Sequence, residues 1–156
     1  RNMPSDYAER VNASGPVKLL SSLADRLNLG AQVILITSHE AYFFGKKQAY
    51  EPYFEIARTK KLGERNLTRL SKSKANKHFT FHIVSSEIIA NSTTAKLLER
   101  VDPGILRKQE QKAGNRFPRS TEVAQVVSLL LQQEEWSISN TIFVGDPSSY
   151  LEDTDG

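Results

Sequence analysis

The hydrophobic positions at the start of the chain follow a helical period and then form a continuous run. From Asp6 to about Leu27 the apolar residues recur at the spacing of an amphipathic helix, which Asn28 and Gly30 end. The run from Gln32 to Thr37 is short, β-branched and apolar. Such a run predicts a strand covered on both faces, as in a parallel sheet.

A second strand is predicted farther along, separated from the first by a helix. A polar and aromatic loop from Ser38 to Pro52 leads into a helical pattern from about Tyr53 to Lys72, and Phe79 to Val84 then has the composition of a strand. This order predicts a right-handed βαβ crossover. We therefore expect a parallel sheet with helices on its faces.

Two more helices and a last strand complete the pattern. They are a helix capped by Ser92 that runs to Arg100, a helix capped by Ser120 with Val123, Val127 and Leu130 on one face, and a strand from Thr141 to Val144 followed by the turn Gly145-Asp146-Pro147. The alternation of helix and strand over the whole chain predicts an α/β fold.

Composition narrows the classes of function. The chain has 156 residues, 38% hydrophobic and 25% charged, as expected for one globular domain. No apolar run approaches the ~20 residues that span a bilayer, so we expect no membrane partner. The absence of cysteine excludes thiolate metal sites and cysteine nucleophiles, and it makes the cytoplasm the expected location. His39, His78 and His82 offer no metal-ligand spacing beyond an i, i+4 pair in a predicted strand, so no metal is expected.

Lys60 is the most informative single residue. Its predicted helix places it on an otherwise apolar face, whose other members are Ile56, Gly63, Leu67 and Leu70. Burying a cation costs several kcal/mol unless it is paired. Two interpretations remain open at this point. The lysine either contacts a ligand or a catalytic partner, or its aliphatic stem packs on the core while its ammonium group reaches water.

Polar residues follow the predicted strands at the edge where parallel sheets bind ligands. The first two strands end in Thr37-Ser38-His39 and Ser85-Ser86-Glu87, and the last ends in Gly145-Asp146. Hydroxyls after a strand also serve ordinary turns, and for Ser85 and Ser86 that interpretation is at least as good.

Pro16 interrupts the first predicted helix. A proline has no N–H, so the carbonyl of Asn12, four residues earlier, loses its helical partner and the helix should bend. The freed carbonyl is suited to holding a water or an ammonium group. A kink with no further role is the simpler alternative.

Six segments taken together resemble the later half of a short-chain dehydrogenase/reductase. They are Asp6 to Gly15, Leu19 to Leu27, Ala31 to Ser38, Ala57 to Glu64, Phe81 to Ser86 and Pro118 to Gly145. The resemblance implies a Rossmann-type doubly wound parallel sheet, with residues 1–156 forming a single partial domain, the C-terminal half only. It also implies hydride transfer between NAD or NADP and a small-molecule substrate with a carbonyl or hydroxyl group.

The resemblance implies catalytic roles for four residues. Asn12 matches the asparagine whose main-chain carbonyl holds a water of the proton relay, and Ser38 matches the serine that hydrogen-bonds the substrate carbonyl. Lys60 matches the lysine that contacts the nicotinamide ribose and lowers the pKa of the catalytic tyrosine. That tyrosine stands four residues before the lysine, where this chain has Ile56. Tyr53, seven residues before Lys60, is the candidate replacement, and Tyr42 and Tyr50 are more remote ones.

The remaining cofactor contacts depart from the family pattern. Besides Lys60, we assign Ser86, Thr93 and Thr94 to cofactor binding, because they follow the second strand where the family contacts the nicotinamide amide. Ser86-Glu87 replaces the family's usual Pro-Gly. If Glu87 points inward it favours the oxidised, positively charged ring, and otherwise it faces water.

The glycine-rich turn that seats a pyrophosphate is absent from this sequence. The chain also begins at Arg1 without an initiator methionine, so we expect a portion of a longer protein. The open sheet edge then needs either a missing N-terminal half or a second copy in a homo-oligomer.

Three alternatives stay open for particular segments. Residues 97–117 are a candidate substrate lid, although a helical hairpin docked on the core fits the sequence equally well. The site as a whole describes either a live oxidoreductase or an inactive pseudoenzyme that serves as a binding or scaffold protein. The basic residues Lys61, Arg65, Arg69 and Lys72 form a stripe that suits phosphates, but with a net charge of +3 a solvated helix face is the better interpretation, and nucleic acid is not the expected partner.

Overall fold

Helices and strands alternate along the chain in the computed structural model, which describes residues 6–46, 51–73, 79–113, 116–132 and 140–151. The helices are α1 (Tyr7–Glu9), α2 (Gly15–Leu23), α3 (His39–Tyr42), α4 (Phe54–Ser71), α5 (Thr93–Val101), α6 (Ile105–Ala113), α7 (Ser120–Leu131) and α8 (Ser148–Leu151), and the strands are β1 (Ala31–Ser38), β2 (Phe79–Ser86) and β3 (Thr141–Val144). None of the described helices is long and apolar enough to cross a bilayer.

The three described strands form one parallel sheet in the order β1-β2-β3. Ser38 at the end of β1 pairs with Ser86 at the end of β2, and Ser86 pairs in turn with Val144 of β3. The carboxyl ends of all three strands therefore meet at one edge of the sheet. This confirms the predicted α/β fold with a parallel sheet, which is Rossmann-like.

Each face of the sheet has its own hydrophobic core. On one face, Leu20 of α2 and Leu67 of α4 pack with Phe79 and Phe81, and Val33 and Leu35 of β1 join this cluster. On the opposite face the cluster consists of Val84, Val123, Leu130 and Val144, with Ile34 and Ile142 packed against it. Alternate residues of a strand point to opposite faces, so α2 and α4 cover one side and α7 covers the other.

This arrangement gives the two crossovers opposite hands. The strands run in sequential order and in one direction, yet α4 and α7, which precede β2 and β3, lie on opposite faces. Two successive crossovers of the same hand would place both helices on one face. Since about 98% of such connections are right-handed, one of these two is a rare exception.

The first predicted helix contains the irregularity expected before Pro16. Between α1 and α2, the segment Arg10–Ser14 is a π-helix, and the N–H of Gly15 donates to the carbonyl of Arg10. The wider turn lies at the residues whose hydrogen-bonding pattern a proline disturbs. A short 3₁₀ turn, Ala24–Arg26, then ends the helical stretch.

The π-helical segment packs directly on α4. A Cβ built on Gly63 of α4 would overlap the carbonyl oxygen of Asn12, so a glycine is needed for the two backbones to approach this closely. The Asn12 side chain adds a hydrogen bond from Nδ2 to Oγ1 of Thr59, 2.9 Å long. Asn12 therefore fixes the position of α4 on both sides of Lys60.

Three features differ from expectation at the strands and the loop between them. β1 is not covered on both faces: Ile36 is 51% exposed, because β1 is the edge strand among those described and the opposite-face core is centred on β2 and β3. Ser85 and Ser86 lie within β2 and are buried, so the turn interpretation is wrong for them. The loop after Ser38 contains the short helix α3.

Two predicted helix positions also differ. Ile56 does not belong to a buried face, since 37% of it is exposed. Ser120 is the first residue of α7, and Arg119 occupies the capping position before it. The backbone N–H of Arg119 donates a hydrogen bond to the Glu122 carboxylate. Val123 and Leu130 of the predicted apolar face are buried as expected. Tyr50, His78 and the acidic end of the chain lie outside the described residues.

The Asn12–Gly63 contact predicts the effect of Gly63→Ala. Alanine ordinarily stabilises a helix interior by up to about 1 kcal/mol relative to glycine. Here the added methyl overlaps a backbone carbonyl that cannot rotate away, and overpacking of this kind costs about 1–3 kcal/mol. We expect a net loss of stability in denaturant unfolding. The exposed Arg65→Ala on the same helix is the control and should stay within about 0.5 kcal/mol of the unsubstituted chain; equal stability of both variants would contradict the close packing.

Candidate active site at the carboxyl ends of the strands

Lys60 and Tyr53 are hydrogen-bonded in the structure. The Lys60 ammonium nitrogen Nζ lies 3.2 Å from the Tyr53 hydroxyl oxygen and 5.8 Å from the centre of its ring. Tyr53 precedes the first residue of α4 and is 9% exposed, so its hydroxyl group meets the lysine in a partly buried setting. Of the two candidate tyrosines that the structure describes, Tyr42 and Tyr53, it is Tyr53 that contacts Lys60. The catalytic roles of the two residues stay a prediction.

Ser38 occupies the end of β1 and caps the helix that follows. Its Oγ accepts a hydrogen bond from the backbone N–H of Ala41, 3.4 Å away. A hydroxyl that accepts in this way still has its own proton to donate. The serine at the expected rim position is therefore held in place by an interaction that does not use its own proton.

Asn12 lies beside α4, where its contacts with Thr59 and Gly63 bracket Lys60 along the chain. Its carbonyl oxygen faces the Cα of Gly63, which sits one turn beyond Lys60. The structure thus brings Asn12 to α4, the helix that carries Lys60 and that begins directly after Tyr53. That this carbonyl holds a water stays a prediction.

A buried carboxylate, Glu64, joins the end of β1 to α4. Its Oε1 accepts a 2.7 Å hydrogen bond from the Thr37 hydroxyl, and its Oε2 lies 3.3 Å from the Lys61 ammonium. Burial raises the pKa of Glu64, while the Thr37 hydrogen bond and the charges of Lys61 and Lys60 counteract that rise. Lys61 also donates to the carbonyl of Tyr42 and lies 4.6 Å from the centre of the Tyr42 ring.

The residues at the end of β2 are buried rather than open. The Ser86 hydroxyl meets no hydrogen-bond partner among the described residues. Glu87 does not face water: it is 6% exposed, packs against Gly145, and accepts a 3.2 Å hydrogen bond from the N–H of Asp146. Burial raises the pKa of Glu87, and the negative charges of Asp146 and Glu110 contribute to the rise. Glu87 therefore ties the ends of β2 and β3 together.

Thr93 and Thr94 form the exposed first turn of α5. The preceding residue, Ser92, caps this helix as predicted, accepting a 3.1 Å hydrogen bond from the N–H of Ala95. Both threonine side chains are thus accessible to a ligand. Their assignment to cofactor binding stays a prediction.

Residues 97–113 of the candidate lid form a helical hairpin. The Glu99 carboxylate accepts hydrogen bonds from the N–H groups of Gly104 and Leu106, which fixes the turn between α5 and α6. Ile105 and, beyond α6, Phe117 are buried, whereas Leu97 and Val101 of α5 are exposed. The hairpin is thus docked by one side and leaves apolar side chains of α5 in solvent.

His39 is enclosed by aromatic rings at the same edge of the sheet. Its Nδ1 lies 2.9 Å from the Ser85 hydroxyl, and the rings of Phe43, Phe143 and Tyr150 surround it at 5.5–6.2 Å. Burial lowers the pKa of His39 to about 4, although the charge of Asp146 acts in the opposite direction. The imidazole is therefore neutral at physiological pH.

The described part of the chain shows neither a cluster of metal-ligating side chains nor an unbroken basic stripe. No group of three or more histidine, aspartate or glutamate side chains could hold a metal ion there. The predicted basic stripe is interrupted, because Lys61 turns toward Glu64 and Tyr42 while Arg65, Arg69 and Lys72 remain exposed.

The sequence reasoning missed Glu64, Thr37 and the His39–Ser85 pair. Glu64 follows Lys60 by four residues and Ala57 by seven, a spacing that places all three on one side of α4. That spacing is a usable signal for Glu64, but a glutamate near lysines on a helix ordinarily indicates a solvated ion pair. Nothing in the sequence indicated that the aromatic residues around His39 converge.

Comparison with known proteins defines the fold class and no family. No family model matches the chain, and no curated protein matches it. A solved structure described as a promiscuous reductase, LugOII, which catalyses keto-reduction at C1 during lugdunomycin biosynthesis, superposes with a TM-score of 0.69 at 21% identity. The match covers 91% of this chain and 55% of that one, so this chain spans about half the length of the reductase. At this identity the likeness shows the fold.

The enclosed His39 predicts a pH dependence of stability. With a folded-state pKa of about 4 and a usual value of 6.5, the unfolded chain takes up a proton on this imidazole before the folded chain does. The stabilising contribution of neutral His39 is present above pH 6.5 and is lost as the pH falls toward 4, at no more than about 1.4 kcal/mol per pH unit.

We expect His39→Phe to flatten this dependence in denaturant unfolding measured from pH 7 to pH 4. Phenylalanine fits an aromatic enclosure and does not titrate, so the variant should lose less stability over this range than the unsubstituted chain. Carboxylates titrate in both proteins and cancel in the comparison. A stability difference that stays constant with pH would refute the assignment.

Proposed function

We propose that this chain is the later half of a divergent short-chain dehydrogenase/reductase that transfers hydride between NAD or NADP and a small-molecule carbonyl or hydroxyl substrate. The observation that carries the proposal is the hydrogen bond between Lys60 and Tyr53 at the start of α4. The Rossmann-like fold and the resemblance of six segments to the family support it. The whole reaction also requires the pyrophosphate-binding part, which these residues do not supply.

The described residues fit the nicotinamide end of such a cofactor. Ser86 offers a buried hydroxyl with no described partner at the carboxyl end of the central strand, where open parallel sheets bind ligands. Lys60 would hold the ribose hydroxyls, and Ser86 with Thr93 or Thr94 would hold the carboxamide. When bound, the dinucleotide supplies or accepts the hydride. The four described glycines with positive φ stand singly and form no glycine-rich turn.

Tyr53 is the proposed acid and base. In the reducing direction its hydroxyl gives a proton to the substrate oxygen as that oxygen gains negative charge. The Lys60 ammonium, 3.2 Å from the hydroxyl, stabilises the tyrosinate that remains. In the oxidising direction the same group takes the proton from the substrate alcohol.

Ser38 and Asn12 complete the proposed set. The Ser38 oxygen accepts from Ala41, and the hydroxyl keeps a proton with which it can hydrogen-bond the substrate carbonyl and orient it. Asn12 holds α4 in place and offers its main-chain carbonyl to a relay water. Each group lies on an element whose position the structure fixes by hydrogen bonds or close backbone contact.

An inactive pseudoenzyme that binds or scaffolds is the second candidate, and one observation favours it. The family's tyrosine position is Ile56, which is 37% exposed and has no proton that it could transfer. Catalysis therefore depends on Tyr53 replacing the missing residue from one turn earlier. The oxidoreductase proposal also includes a cytoplasmic location. It further includes either a homo-oligomer or an N-terminal half at the open edge of β1.

The experiment is cofactor titration and turnover of the full-length protein with and without Tyr53→Phe. We expect NADH or NADPH to bind both forms, while the variant loses about 10²-fold or more in kcat because the proton donor is gone. The control is Tyr7→Phe, an exposed tyrosine on α1, which should retain full activity.

The outcomes separate the candidates. Absence of any nicotinamide cofactor binding would refute the oxidoreductase. Binding without turnover would establish the pseudoenzyme, and turnover unaffected by Tyr53→Phe would remove Tyr53 from the mechanism. The double variant Tyr53→Phe/Ile56→Tyr tests whether a tyrosine at the family's usual position can replace Tyr53. We expect it to recover part of the kcat that Tyr53→Phe loses.

A further inference from the structure

Glu64 is a buried charged group to which the proposed chemistry gives no task. It is 3% exposed, and a carboxylate removed from water destabilises the fold unless it is paired and hydrogen-bonded. Both of its oxygens have partners: Oε1 accepts from Thr37 at 2.7 Å, and Oε2 meets Lys61 at 3.3 Å. Two satisfied oxygens in a dry setting make a rigid junction rather than a loose surface pair.

The junction connects the two elements that carry the proposed catalytic groups. Thr37 immediately precedes Ser38 at the end of β1, and Glu64 lies one helical turn beyond Lys60 on α4. A shift of β1 against α4 would therefore move Ser38 relative to Lys60 and Tyr53. The 2.7 Å hydrogen bond opposes that shift where it matters most.

Lys61 extends the same junction to α3. Its ammonium donates to the carbonyl of Tyr42, the last residue of α3, and lies over the Tyr42 ring. The first residue of α3 follows Ser38, and the Ser38 hydroxyl caps this helix. The Glu64 carboxylate thus holds β1 through Thr37. Through Lys61 it also holds α3, the short helix that Ser38 caps.

Charge is arranged consistently with this role. The Lys60 and Lys61 charges both favour the ionised form of Glu64, against the effect of its burial. Lys60 thus interacts with the charge of Glu64 and is hydrogen-bonded to the Tyr53 hydroxyl.

We propose that Glu64 is a positioning residue that, through Thr37 and Lys61, holds Ser38 in register with the Lys60–Tyr53 pair. This inference rests on the proposed function for its kinetic consequences. Its structural content, a fixed register between β1 and α4, does not require turnover.

The kinetic test uses the full-length protein with Thr37→Val, Thr37→Ser, Glu64→Gln and the Thr37→Val/Glu64→Gln double variant. Valine removes the hydroxyl at nearly constant shape, whereas serine keeps it. We expect Thr37→Val and Glu64→Gln each to lower kcat about tenfold and to leave the KM for the cofactor within about twofold. A small misplacement of Ser38 weakens the stabilisation of the transition state more than it weakens cofactor binding. Thr37→Ser keeps the hydroxyl and should therefore have the kcat of the unsubstituted protein. The double variant should lose no more kcat than the worse of the two single variants.

The matched control is Glu55→Gln, an exposed glutamate on α4 that pairs with Arg58. It should leave kcat unchanged. Additive losses in the double variant, no rescue by serine, or unchanged kcat in Glu64→Gln would overturn the positioning role while leaving the proposed oxidoreductase intact. Absence of turnover in the unsubstituted protein refutes the proposed function instead.

A readout independent of activity is amide hydrogen exchange. Loss of the junction should speed exchange at the amides of Ala41 in α3 and of Phe43, which follows it, by about tenfold in Thr37→Val and Glu64→Gln. Thr37→Ser and Glu55→Gln should leave the exchange of both amides unchanged. The amides of α5, remote from the junction in the chain, provide the internal reference. Unchanged exchange at α3 in both disrupting variants would overturn the structural claim even if no substrate is found.

Discussion

The close approach of the Asn12 carbonyl to Gly63 is the constraint on which the rest of this arrangement depends. The two backbones meet without a side chain between them, and the Asn12–Thr59 hydrogen bond holds the contact in register. Lys60 lies between those two residues of α4, so its position along the helix is set by them. From there Lys60 reaches Tyr53, and one turn later Glu64 reaches β1. If α4 packed at a different position, all of these groups would be separated.

Much of the fold could be predicted from hydrophobic spacing alone. The three strands, α4 and the buried residues of α7 lie close to where apolar periodicity placed them, because burial of a continuous face leaves little freedom. An irregularity of the first helix before Pro16 was predictable from a missing N–H, although its π-helical form was not. Coverage of β1 could not be predicted, since a strand's own composition does not reveal whether it stands at an edge, as Ile36 shows.

The candidate site was predictable only where a residue type is rare in its setting. Lys60 stood out because an ammonium on an apolar helix face needs a partner, and the Tyr53 contact supplies one. Glu64 and His39 did not stand out. A glutamate near lysines and a histidine after a strand are ordinary on a surface, and their burial results from long-range packing. For Glu64 the decisive partner, Thr37, is 27 positions away.

The uncovered side of β1 has a consequence for handling this chain by itself. Among the described strands β1 pairs with β2 alone, so no described strand pairs with the peptide groups of its other edge, and Ile36 of β1 is solvent-exposed. Peptide edges of this kind recruit further chains by strand addition. When the chain is handled by itself, this edge is where strand addition by another copy is expected as the concentration rises, and short charged or proline-bearing peptides matched to β1 are rational solubilising agents.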